Sequence, residues 1–147
     1  MINLGIAFGA GLYEHRIVVP RWIEAASTPK WNAEAALQDD TGRRFWAFVT
    51  TVPLTLLTLA SLYFAWRATG TTRWWWLAAA GLALADRLFT FAYFIPAMVR
   101  LMRLPDSPDS VGMAMQWARL NTLRHALLLA AWLSALRTFA IFHQPTD

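Results

Sequence analysis

Four apolar runs dominate the chain, at 2–20, 45–66, 74–99 and 113–142, with polar stretches between them. Each has the roughly 20 residues a helix needs to cross about 30 Å of hydrocarbon at about 1.5 Å per residue. Helix is the required form, because lipid offers no partner to an unpaired backbone amide. Tryptophans mark the run ends. Trp22, Trp46 and Trp117 fall at one set of ends, here side A, and Trp66 with Trp74 to Trp76 at the other, side B, as indole rings do at headgroup level. Side B also takes both termini and the tight turn "RATGTTR". Side A takes two longer connections. In the first, Thr28 and Pro29 read as an N-cap and first turn, so "TPKWNAEAALQ" is expected as a short surface helix. In the second, "RLPDSPDSVG" reads as a loop. The expected fold is all-α: a polytopic membrane four-helix bundle, one domain over 1–147, with a short surface helix in the first connection.

Composition supports the membrane reading: 57% of 147 residues are hydrophobic, including nine Trp and nine Phe, more than a soluble domain of this size covers with polar surface. No basic stretch or small-residue cleavage site precedes the first run, which is expected to be a retained helix. The absence of cysteine excludes disulfides, thiolate nucleophiles and metal–thiolate centres. The net charge of +4 comes from basic residues placed mostly at helix ends, a pattern that suits lipid headgroups and not nucleic acid. Arg21, Lys30, Arg43, Arg44, Arg100, Arg103 and Arg119 lie at side A, against Arg67, Arg73 and Arg137 at side B, so side A is expected to be cytoplasmic. The expected location is a cell membrane crossed several times, the bacterial inner membrane.

Inside this apolar frame a few charges stand out, first "YEHR" at 13–16. A charge at the centre of a membrane helix costs about 2.5 to 3.5 kcal/mol, so Glu14, His15, Asp86, Arg87, Arg124 and His125 have to be paired, hydrated or used. At about 100° per residue, Trp117, Asn121, Arg124 and Leu128 share one stripe with His125 on its shoulder. Asp86, Thr90, Tyr93, Ala97 and Arg100 share another with Arg87 beside it, and Ala7, Gly11, Glu14, Val18 and Arg21 a third. Arg119 and Arg137 share an outward azimuth about 27 Å apart, as two interfacial anchors. Counted from side A, Glu14, His15, Tyr93, Arg124 and His125 lie about 10 Å deep, and Asp86 and Arg87 about 20 Å. Thr51, Thr55 and Thr58 form one face of the second run and bond back to their own helix. Gly5 and Gly9 offer a close-packing face, within one chain or between copies in a homo-oligomer. These residues predict a polar pocket opening toward side A. The structural alternative has Glu14 and Asp86 neutralising Arg124 and Arg87 to fix helix register.

The run Gly9 to Tyr13 ending at Pro20, the four-helix layout, and "WARLNTLRHALLLAAWLSAL" with Trp117, Asn121 and Arg124 resemble the anthrone-oxygenase-like family of small integral membrane proteins, many without assigned function. The resemblance implies oxidation of an aromatic anthrone to a quinone by molecular oxygen with no metal or flavin cofactor. It places Asn121 and Arg124 in the helix-four motif, and Glu14 and His15 as charged insertions in the helix-one motif. His15 or Glu14 would act as base, and Arg124 and Asn121 would stabilise the oxyanion. Asp86, Arg87, Tyr93, Trp117 and His125 are the expected ligand-binding residues for a small lipophilic substrate, phenolic or quinone-like. Two other classes stay open: a binder, transporter or channel for an amphipathic anion using Arg16, Arg87 and Arg124, and a bis-histidine haem protein using His15 and His125.

Overall fold

The computed structural model describes residues 1–24 and 28–143. Helix α1 occupies residues 2–22; β1 (Ile23–Glu24) and β2 (Lys30–Trp31) form a short antiparallel pair; α2 is Ala33–Asp39; and α3 (Gly42–Arg67), α4 (Gly70–Leu101) and α5 (Pro108–Phe142) are long. The last three are long and apolar enough to cross a membrane. Three such helices in one chain make this a multi-pass membrane protein. Helix α1, interrupted by Glu14, His15 and Arg16, is not among those three. It completes the bundle by packing antiparallel on α5, where Gly5 faces Trp132 and Gly11 faces His125. Both ends of the bundle chain meet at side B, where Met1 and Phe142 line the same cavity. The surface is apolar as lipid contact requires, with Leu56, Leu59, Phe64, Trp66 and Trp74 all exposed.

Three helices contain a wide, π-helical stretch, Glu14–Val18, Gly42–Thr51 and Thr90–Phe94, each ending two residues before a proline, Pro20, Pro53 and Pro96. Proline lacks an amide hydrogen and its ring crowds the carbonyl four residues earlier. In all three helices that carbonyl, on Arg16, Val49 or Ala92, lies inside the wide stretch. Widening the turn relieves the clash without breaking the helix.

In α1 and α4 the wide turn also shifts the inward face by one residue, so that α1 buries Trp22 and α4 buries Phe94 and Leu101. The expected stripes placed Arg21, Tyr93 and Arg100 there; Arg21 and Arg100 are exposed and Tyr93 only half-buried. The straight-helix wheel fails at these three positions because it assumes 100° throughout.

Side A is closed by a polar cap on an aromatic layer. Trp22 and Trp31 are buried with Phe94, Leu101 and Trp117. Trp31 Nε1 donates to the Leu101 carbonyl at 3.0 Å, and its backbone N–H to Asp106 at 2.9 Å. Asp39 at the end of α2 takes both Arg21 at 2.6 to 2.7 Å and Trp22 Nε1 at 2.8 Å. The surface helix is therefore present but starts later than Thr28: its cap is Asn32, whose side chain accepts the Ala35 amide at 2.9 Å, because Lys30 and Trp31 are used in strand pairing. Asp40 then turns the chain into α3 in a left-handed conformation. The second connection is shorter than expected. Ser107 and Ser110 form a reciprocal capping box with Pro108 in the first turn, so "PDSVG" is helix.

Candidate functional site

The wide turns converge on a cavity of about 530 Å³ between α1, α3, α4 and α5, roofed at side A by Leu37, Asp40 and Thr41. Its size suits a small aromatic ligand. Glu14, Trp46, Thr51, Arg87, Thr90, Phe94, Trp117 and Arg124 line it, with Arg43 and Arg103 near the mouth.

Glu14 is buried at the start of its wide turn, and its Oε1 accepts both the Thr41 hydroxyl at 2.5 Å and Trp46 Nε1 at 2.8 Å. Both bonds go to one oxygen, so the other is the one left for a ligand. Arg124 lies opposite, with its guanidinium carbon 5.5 Å from the Trp46 ring centre and 4.9 Å from that of Phe94. Cation–π contact on both rings holds it without consuming its N–H groups. Asp86, with no exposed surface, stands behind the arginines and not in the cavity wall. Its Oδ2 accepts Arg87 Nε at 2.9 Å and also Arg87 Nη2, while Oδ1 faces Arg124 Nε at 4.0 Å. Arg87 Nη1, Arg124 Nε and both amide atoms of Asn121 are buried with no hydrogen-bond partner among the described residues.

The structure thus brings Glu14, Arg87, Trp117 and Arg124 to one cavity. Asn121, Asp86 and His125 are buried behind it, and Tyr93 stands off it, tilted against Phe89 and edge to face with Phe94. Arg16 is exposed, as are Arg119 and Arg137, which removes Arg16 from an anion site. The expected 10 Å step in depth between Asp86 and Arg124 is bridged: the wide turn in α4 compresses the axial count, and the long Arg124 side chain reaches across. Of the structural alternative, Asp86 is paired with Arg87, whereas Glu14 takes its hydrogen bonds from Thr41 and Trp46 and none from an arginine.

His15 and His125 meet edge to face, with ring centres 5.8 Å apart and planes at 82°. Neither borders the cavity. His125 Nε2 abuts Gly11, where a Cβ would lie 2.5 Å away, so this nitrogen does not face a macrocycle as an axial haem ligand must. Close helix approach is therefore carried by Gly11, and by Gly5 against Trp132; Gly9 has open space around it. Among the described residues no three His, Asp or Glu side chains group to hold a metal ion.

Trp46, Thr41, Thr90 and Phe94 were not among the expected site residues. The position of Trp46 at a helix end suits a headgroup anchor, and the signal that distinguishes it is a deep carboxylate on another helix needing a donor. Phe94 was hidden by the register shift.

The family model described as anthrone oxygenase matches residues 43–134, more than half of the chain. The match contains Trp46, Asp86, Arg87, Phe94, Trp117, Asn121, Arg124 and His125. It leaves out α1, so Glu14, His15 and the Gly9 to Tyr13 run lie outside it. No curated protein and no solved structure matches the chain.

Proposed function

The chain belongs to the anthrone oxygenase family, and on that premise we propose that it is a cofactor-independent oxygenase acting on a lipophilic phenol of the anthrone type. The observation that carries this reading is the pairing, in one aromatic-walled cavity, of a carboxylate with a free oxygen, Glu14, and a guanidinium held on the faces of Trp46 and Phe94, Arg124. The apolar substrate enters from the bilayer. Glu14 takes a proton from the activated CH₂, and the resulting enolate oxygen is held by Arg124. The electron-rich carbon reduces dioxygen and forms a C–O bond. Glu14 returns its proton to the peroxide, and loss of the second C–H proton with O–O cleavage leaves the quinone carbonyl and water. One CH₂ and one O₂ thereby give one C=O and one H₂O.

Glu14 is preferred over His15 as base because His15 does not border the cavity. Arg124 supplies fixed positive charge where negative charge develops, the effect that dominates catalysis of this kind. The arginine distribution supports a cytoplasmic side A in a bacterial inner membrane. A non-catalytic binder or transporter of amphipathic anions would use the same arginines, and turnover separates the two. Purified protein given 1,8-dihydroxyanthrone should consume oxygen and form the quinone above the protein-free rate, and Arg124→Gln should lower kcat by about 10²-fold. A wild-type rate equal to the protein-free rate refutes the oxygenase reading.

A further inference from the structure

The charges at the inner end of the cavity sum to zero, and that sum has a consequence for what can bind. Arg87 and Arg124 face two carboxylates, Glu14 in the cavity wall and Asp86 behind it. Arg124 is in Coulombic range of both. Asp86 is committed: it is fully buried and takes two N–H bonds from Arg87 on one oxygen. Glu14 is not: its two donors, Thr41 and Trp46, carry no charge, and it borders the cavity. The other groups near Glu14 do not alter the sum. Thr41 and Trp46 are uncharged; His15 on its own helix and His125 on α5 lie outside the cavity; Arg16 points outward; and Asp40, Arg43 and Arg103 sit toward the side A mouth.

An anion added to a neutral buried set leaves one unbalanced charge in a low-dielectric space, which is heavily disfavoured. Neutrality returns if Glu14 takes up a proton. Resting on the oxygenase reading above, we infer that the site accepts one negative charge per ligand, coupled to protonation of Glu14: a weak acid enters neutral and transfers its proton internally, and a preformed monoanion binds together with a proton. Asp86 acts as a positioning residue that sets this limit, because it cancels one arginine from behind the wall. The ligand class is a lipophilic aromatic with one acidic group, a phenol or carbon acid that crosses the bilayer uncharged.

The test is a proton count, independent of turnover. Calorimetry at neutral pH, in buffers of different ionisation enthalpy, measures protons exchanged when 1-naphthol or 1-naphthoate binds the detergent-solubilised full chain. Naphthol should bind with no net exchange. Naphthoate should take up about one proton, with Kd rising about tenfold per pH unit. Glu14→Gln should abolish the uptake. Asp86→Asn leaves the site one positive charge in excess, so naphthoate should then bind with no uptake. If Asp86→Asn does not fold, the Glu14→Gln comparison still decides the coupling. Naphthoate binding to wild type without proton uptake, or no naphthoate binding at all, overturns the inference. An Asp86→Asn protein that weakens both ligands while still taking up one proton with naphthoate overturns the role of Asp86. Proton uptake by a protein that consumes no oxygen with an anthrone leaves this inference standing and defeats the oxygenase reading; oxygen consumption with a zero count does the reverse.

Discussion

Replacing each cavity arginine by glutamine should separate the ligand-facing cation from the structural one. Arg87 gives Asp86 two charge-assisted hydrogen bonds on Oδ2. Such bonds contribute about 1.5 to 3 kcal/mol each, and removal strands a carboxylate with no exposed surface. Arg87→Gln should therefore cost about 3 to 5 kcal/mol. Arg124 makes no hydrogen bond to Asp86, only a 4.0 Å approach. The attraction at that distance is about 4 kcal/mol at an effective dielectric of 20. It is largely offset by the desolvation that Arg124 no longer suffers once it is Gln, several kcal/mol per buried ion. Loss of its contacts with Trp46 and Phe94 adds about 1 kcal/mol, so the net change should stay near 1 kcal/mol. Thermal unfolding in detergent, followed by circular dichroism, should show Arg87→Gln melting roughly 10 °C lower and Arg124→Gln within about 4 °C of wild type, at about 2 to 4 °C per kcal/mol. The double change Asp86→Asn with Arg87→Gln should recover most of the loss. Equal destabilisation by the two single changes, or a larger effect at Arg124, refutes the assignment of Arg87 to Asp86 and of Arg124 to the ligand.

Gly11→Ala should destabilise the bundle by about 1 to 3 kcal/mol, because the new methyl would sit 2.5 Å from His125 Nε2; Gly9→Ala, with open space around it, should change the melting temperature little, and the reverse order would contradict the α1–α5 packing. Burial at Asp39 raises its pKa, but the Trp22 hydrogen bond, the Arg21 hydrogen bond and charge, and the Arg44 charge outweigh it, so the carboxyl is held below its usual value. Its contribution is present above the ordinary aspartate pKa of about 3.9 and is lost as pH falls through the lower folded value. Trp22 fluorescence should thus report an acid transition below about pH 4 that Asp39→Asn lacks, and a transition persisting in the variant would refute the link.

The hydrophobic pattern was enough to locate the four main helices, because lipid demands long apolar runs and leaves tryptophan at their ends. It missed the α5 extension through "PDSV", since polar turns outside hydrocarbon carry no apolar signal, although Ser107 followed by Pro108 was a legible cap. Thr28 with Pro29 offered the same kind of cap as Asn32; strand pairing at Trp31, a tertiary contact, decided between them. Glu14, Arg87 and Arg124 were legible as inward-facing cavity residues because charge in a bilayer needs a reason, and Trp117 because it shares the helical stripe of Asn121 and Arg124. Phe94 was not, because a wide turn before Pro96 moves the inward face by one residue. Trp46 was not, because an interfacial tryptophan and one donating to a buried carboxylate look alike until Glu14 is placed beside it.

The central claim is that a lipophilic acid lodges between Glu14 and Arg124. A structure of the purified chain with bound 1,8-dihydroxyanthraquinone, an unreactive product-like phenol, tests it directly. The ring system should lie between Trp46, Phe94 and Trp117, with a phenolic oxygen within hydrogen-bond distance of Arg124. Ligand found only on the lipid-facing surface, with the cavity closed over Arg124, would contradict it.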